Sequence, residues 1–215
     1  MITAPDASGS PFFPDGRSMY ERMLAGDPYL ANDPEVGALS TRAQLLTERY
    51  NATSITEPDL RRTLLAELLG AVGEEIEIRP PFHVDYGAHV HIGERFFANF
   101  GFLALDCAEI RIGADVQVAT NVQLLTATHP LEPGPRRDKW EAAAPITLGD
   151  NVWLGGGVIV GPGVSIGENT VVGAGSVVVK DLPANVVAVG TPARPVRSLP
   201  ADPASGWDRS AVEDA

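Results

Sequence analysis

Residues 148–177 read as five contiguous six-residue units: LGDNVW, LGGGVI, VGPGVS, IGENTV and VGAGSV. Each unit opens with an aliphatic residue (Leu148, Leu154, Val160, Ile166, Val172) followed by glycine. The fifth place holds a small or β-branched residue (Val152, Val158, Val164, Thr170, Ser176). A fixed short period signals stacked coils, each burying its apolar face only against its neighbours. Three units make one triangular turn of three short strands, so every opener is expected to stack on the opener eighteen residues away. The glycine beside it is expected to relieve crowding where the chain bends. A helical reading fails, because six is not a multiple of 3.6 and interior glycines cost about 1 kcal/mol each. The density of valine also favours strand.

The period extends upstream. Counting back gives Pro80, Tyr86, Ile92, Ala98 and Ala104 as openers, with Val84, Val90, Phe96, Phe102 and Ala108 at the fifth place. The phase slips by two residues around 107–110 and resumes at Ile112, Val118 and Leu124. Residues 129–144, HPLEPGPRRDKWEAAA, carry three prolines and a charge cluster and are expected to project from the coil as a loop.

Ahead of the coil, residues 18–73 read as a small helical domain. A short amphipathic piece runs from Met19 to Leu24. Asp33-Pro34 looks like an N-cap with proline at the first helical position, and Val36, Leu39, Ala43, Leu46 and Tyr50 form one apolar stripe. A capping-box-like start over 56–59 is followed by a stripe of Leu60, Leu64 and Leu68, ended by Gly70 or Gly73. The coil then occupies 74–198, with a short strand at 185–189. Residues 1–17 and the acidic tail 199–215 read as disordered. The fold class is mainly β, a parallel β-helix with a small N-terminal α-helical domain and a projecting loop.

The chain has 16 basic and 28 acidic residues and a net charge of −12, which argues against nucleic acid or an anionic membrane as partner. One cysteine rules out a disulfide within the chain. The first residues carry no basic and apolar leader pattern, and no segment approaches ~20 uninterrupted apolar residues, so the cytoplasm is the expected compartment.

His129 stands where the rigid coil gives way to the projecting loop, and imidazole suits general-base work there, with Glu132 or Glu141 near enough in sequence to orient it. The bland alternative is a solvated loop histidine. His83, His89 and His91 invite a metal reading, but no tight His/Cys cluster supplies three converging ligands, so hydrogen-bonded or solvated histidines are favoured. Cys107 lies between Asp106 and Glu109, which hold a thiol protonated; a buried, inert cysteine is expected. Lys180, Arg194 and Arg197 form a basic group at the end of the coil, either a solvated face or an anion site for a phosphorylated ligand. Trp153 and Trp140 either pack or cover a ligand.

The stretch 146–197, together with FHVDYGAHV, LLTATHPLEP and the helical segment beginning MLAGDPYLANDPEV, closely resembles the maltose and galactoside O-acetyltransferases. The resemblance covers roughly residues 18–198. It implies a left-handed coil, an acetyl-CoA-dependent O-acetyltransferase, no required metal, and a homotrimer with sites between neighbouring subunits. It implies His129 as catalytic base toward a hydroxyl acceptor. Asp85, Phe97 and Asn99 would lie near the acceptor and the reacting acetyl group, with Asp106 and Glu141 in the same pocket. Gly156, Ala174, Val179 and Lys180 would line the coenzyme groove, Arg194 and Arg197 would meet the coenzyme phosphates, and Trp153 would flank the reaction zone. Two positions depart from the family pattern: Ala31 stands where an acidic acceptor contact is expected, and Cys107 where some galactoside enzymes carry an acid. Other acceptors (serine, an antibiotic, a nucleotide sugar), a metal-dependent hydratase and a non-catalytic assembly module remain the competing readings.

Overall fold

A computed structural model describes residues 16–200; the ends expected to be disordered fall largely outside them. The repeats build a parallel β-helix of triangular section. Two of its faces are sheets of five strands and the third has seven, all parallel except the final strand. In the clean repeats Leu148 pairs with Ile166, Leu154 with Val172 and Val160 with Val178, the expected eighteen-residue step. Openers and fifth-place residues alike point inward: Val152, Leu154, Val158, Val160 and Val164 are all buried. The outward side chain between them is the one left to solvent or to partners.

The early turns are longer. Ile92 pairs with Ile112, Ala98 with Val118 and Ala104 with Leu124, a step of twenty. The upstream openers are therefore Ile78 and Val84, both buried, rather than Pro80 and Tyr86. The slip near Cys107 has a twin at 85–88. The cause lies one turn away. Asp106 Oδ1 accepts from the backbone N–H groups of Asp85 (3.1 Å) and Tyr86 (2.8 Å), and its Oδ2 accepts from His89 N–H (3.1 Å). That carboxylate holds the two extra residues in a closed turn. Thr126 does the same for the next turn, its hydroxyl donating to Leu105 O (2.6 Å) and accepting from Ala108 N–H (3.0 Å). The third irregularity is the long insertion between the strands Gln123–Leu125 and Ile146–Leu148. All three stack on one corner of the prism.

The repeat glycines answer a different constraint from the expected bend. A Cβ on Gly155 would lie 2.6 Å from the backbone nitrogen of Ala174, and one on Gly149 would lie 2.6 Å from that of Glu168. These glycines let successive turns approach. The positive φ angles fall elsewhere, for example at Asn151 (56°), Asn169 (58°) and Asn185 (59°), whose stacked amides hydrogen-bond in a ladder down a second corner.

Among the described residues four helices accompany the coil: α1 (Met19–Leu24), α2 (Pro34–Asn51), α3 (Pro58–Leu68) and α4 (Pro133–Arg137). Ser18 and Glu21 form a capping box on α1. Asp33 caps α2 as expected, accepting from Glu35 N–H and Val36 N–H. The start of α3 differs from expectation: Glu57 is its N-cap without a side-chain cap bond, Pro58 begins the helix, and Leu60 is exposed while Leu64, Leu65 and Leu68 are buried. The helix stops at Leu68, before either glycine. Full burial of each of those leucines contributes roughly 1.5–3 kcal/mol. They share one core with Ile78, Phe82 and Phe102 of the coil, and Asn51 pins Phe82 by accepting from its N–H and donating to its carbonyl. The coil starts inside the segment read as helical, since Ala71–Val72 already pairs with the next turn. The helices thus close one end of the prism, and the hairpin of Val186–Gly190 with Ala193–Ser198 closes the other. No helix among the described residues is long and apolar enough to cross a membrane.

Candidate active site

The insertion at 126–144 is more ordered than the expected loop. Strand Ala127–Thr128 runs out along the corner, α4 turns the chain, and strand Trp140–Ala143 returns antiparallel to it. Tyr29–Leu30, from the segment between α1 and α2, adds a third strand by pairing with Glu141 and Trp140. Arg136 ties the turn by donating to the carbonyls of Pro130 (3.1 Å) and Leu131 (2.9 Å).

His129 directly follows the outgoing strand, and its side chain is 52 % exposed. Its Nε2 lies 3.7 Å from Glu141 Oε1, the range of an ion pair rather than a hydrogen bond. Among the described residues its Nδ1 has no hydrogen-bond partner. The other oxygen of Glu141 accepts from the Tyr29 hydroxyl at 2.8 Å. The half-exposed ring therefore has a carboxylate beside one of its two nitrogens.

Asp85 lies on the same corner, with the Cys107 thiol donating to its Oδ2 at 3.3 Å. Burial, with smaller contributions from Asp106 and Glu141, raises the Asp85 carboxyl above the usual carboxylate range, although the thiol bond opposes the shift. Burial, followed by the charge of Asp85, pushes the Cys107 thiol far above its ordinary value, as expected for an inert cysteine. Asp106 departs from the expected substrate contact. It is 0 % exposed and three backbone N–H groups engage its oxygens, so it shapes the turn that carries Asp85 and does not face the pocket.

The other expected site residues fall into two further groups. Phe97 and Trp153 share an outward column on the seven-stranded face, both registering with Gln117, and Trp153 is 53 % exposed. Asn99, Gly156 and Ala174 stack at the corner that follows, where Gly175 N–H donates to Gly156 O. Val179 and Lys180 return to the histidine's corner, farther along the coil, and are exposed. Arg194 and Arg197 lie on the closing hairpin, opposite Val189 and Val187. A face is about six residues long, up to roughly 20 Å, so no side chain of one chain joins the His129 corner to the Asn99 corner.

The three upstream histidines do not converge. His89 is buried, its Nδ1 bonded to Asp106 O and its Nε2 to the Tyr20 hydroxyl, while His91 faces Glu109 at 3.2 Å. Among the described residues no three His, Cys, Asp or Glu side chains are grouped to hold a metal ion. Tyr29 and Thr126 escaped the sequence reading, because nothing local marks either and their partners are remote in the chain.

The triangular parallel β-helix built on six-residue units is a hexapeptide-repeat fold, and comparison with known proteins assigns it to the acyltransferases. Residues 22–73 match the maltose acetyltransferase hexapeptide capping motif, and 145–180 match the bacterial transferase hexapeptide of six repeats. A maltose O-acetyltransferase from Clostridium difficile 630 superposes with a TM-score of 0.84 at 43 % identity, over 85 % of this chain and 98 % of that one. A galactoside acetyltransferase in complex with coenzyme A superposes with a TM-score of 0.82 at 38 % identity, over 85 % and 92 %. The galactoside O-acetyltransferase of Lactococcus lactis is 40 % identical over 84 % of this chain and 87 % of its own length. The chain belongs to the maltose and galactoside O-acetyltransferase family, and it is an acetyltransferase with the family's left-handed coil.

Proposed function

We propose that this chain transfers the acetyl group of acetyl-CoA directly to a hydroxyl of a sugar or similar small acceptor, with His129 as general base. Bound coenzyme A in a relative that superposes over 85 % of this chain supports acetyl-CoA as the co-substrate. The observation that carries the base assignment is the half-exposed imidazole of His129 at the corner insertion, with Glu141 beside its Nε2. With the Nε2 proton directed at Glu141, Nδ1 takes the acceptor's proton as the acceptor oxygen attacks the thioester carbonyl. The tetrahedral intermediate then collapses, the C–S bond breaks, and the imidazolium returns the proton to the coenzyme thiolate. Glu141 balances the imidazolium charge in between. General-base help of this kind supplies about 10²–10⁴-fold, and holding the two substrates together supplies much of the remainder.

The separation of the site residues supports the homotrimer. The base, Asp85, Val179 and Lys180 occupy one corner, whereas Asn99, Gly156 and Ala174 occupy another. A second copy laid alongside brings the two together, and small residues at the second corner leave room for an extended pantetheine arm. Arg194 and Arg197 on the closing hairpin suit the coenzyme phosphates. Such a chain works in the cytoplasm, where acetyl-CoA is made. Replacing His129 with Ala is expected to abolish acetyl transfer while size-exclusion chromatography with light scattering still reports a trimer. Unchanged turnover in that variant overturns the base assignment.

A further inference from the structure

Tyr29 belongs to the N-terminal segment and is 0 % exposed, so it touches neither acceptor nor coenzyme. Its ring packs in a small core with Met23, Val36, Tyr86, Cys107 and Ala143, separate from the main coil core. Its backbone registers with Glu141, and its hydroxyl donates to Glu141 Oε2 at 2.8 Å. The opposite oxygen of the same carboxylate faces His129. We infer that Tyr29 is a positioning residue: its hydroxyl fixes the Glu141 carboxylate against His129, which makes the helical segment part of the catalytic apparatus and not only a lid on the coil.

The chemistry is one-directional. Burial raises the Tyr29 hydroxyl well above the ordinary phenol range, so it remains a donor throughout the working range. A donor on Oε2 stops the carboxylate from rotating. The groups facing Glu141 come from four elements: His129 from the outgoing strand, Tyr29 from the N-terminal segment, Asp85 and Tyr86 from the first slipped turn, and Cys107 from the second. Of these, Tyr29 holds the carboxylate by a hydrogen bond. The inference rests on the assignment of His129 as base.

The decisive variant is Tyr29→Phe, which removes one oxygen and keeps the packed ring. With maltose and a galactoside as acceptors, kcat is expected to fall about tenfold, the scale of one charge-assisted hydrogen bond, with KM for acetyl-CoA unchanged. In a Glu141→Gln background the same substitution should have no further effect, since Tyr29 acts through that carboxylate. The His129 ring titration, followed by NMR and assigned with His129→Ala, needs no acceptor. It should move downward in Tyr29→Phe, because a carboxylate released from its anchor no longer faces the imidazolium in one fixed position. It should not move when the substitution is added to Glu141→Gln. Equal losses in both backgrounds, or an unmoved titration, would overturn the positioning role. Full activity in His129→Ala would instead overturn the base assignment beneath it, so the two failures are told apart.

Discussion

Asp106 is the residue whose removal tests the architecture of the site most directly. Its side chain is 0 % exposed and accepts from three backbone N–H groups, at 3.1, 2.8 and 3.1 Å. Asp106→Ala strands all three donors in the turn that carries the buried Tyr86 and His89. A buried donor without a partner costs about 1–3 kcal/mol, so even with one donor reached by water the loss is about 2–6 kcal/mol. At roughly 2–4 °C per kcal/mol for a domain of this size, the melting temperature should fall by roughly 4–24 °C. Asp106→Asn keeps an acceptor on one side and places an amide donor opposite another N–H, so its loss should be about 1.5–3 kcal/mol, between parent and alanine variant. The assay is thermal unfolding by circular dichroism at fixed protein concentration and scan rate, since association and irreversibility both move an apparent melting point. Acetyl transfer should fall as well, because the same turn aims Asp85. An alanine variant melting within 2 °C of the parent would refute the claim that this carboxylate holds the slipped turn.

The phosphate-anchor assignment predicts that Arg194→Ala combined with Arg197→Ala raises the KM for acetyl-CoA about tenfold or more with little change in kcat; an unaltered KM in steady-state kinetics rejects it. Cys107, buried and with its thiol pushed upward, should resist a thiol reagent at pH 8 in the native protein and react fully in urea, as read by absorbance on labelling.

Much of this protein is legible as text. The coil follows from the period because each opener meets its partner at a constant offset, and the α2 stripe follows because Asp33-Pro34 marks its start. His129 is conspicuous as the residue at which the period fails. The misreadings share a cause. Pro80 and Tyr86 read as openers because a six-residue count carries straight through 85–88. Only Asp106, twenty residues on, shows that two extra residues close there. The family resemblance puts Asp106 in the acceptor pocket, whereas its burial follows from a turn stacked beneath it. The insertion reads as a loop because three prolines and a charge cluster break the period, and the partner of its strands, Tyr29–Leu30, lies more than a hundred residues away.

The sequence alone therefore determined the repeating coil, its apolar interior and the place where the coil is interrupted, since all three depend on contacts whose spacing is constant along the chain. The tertiary structure decided which interruptions fall on the same corner, which acid faces the histidine, and that His129 and the Asn99 corner of one chain cannot meet. Those outcomes depend on hydrogen bonds between turns and on the angle between prism faces, neither of which has a fixed offset in sequence.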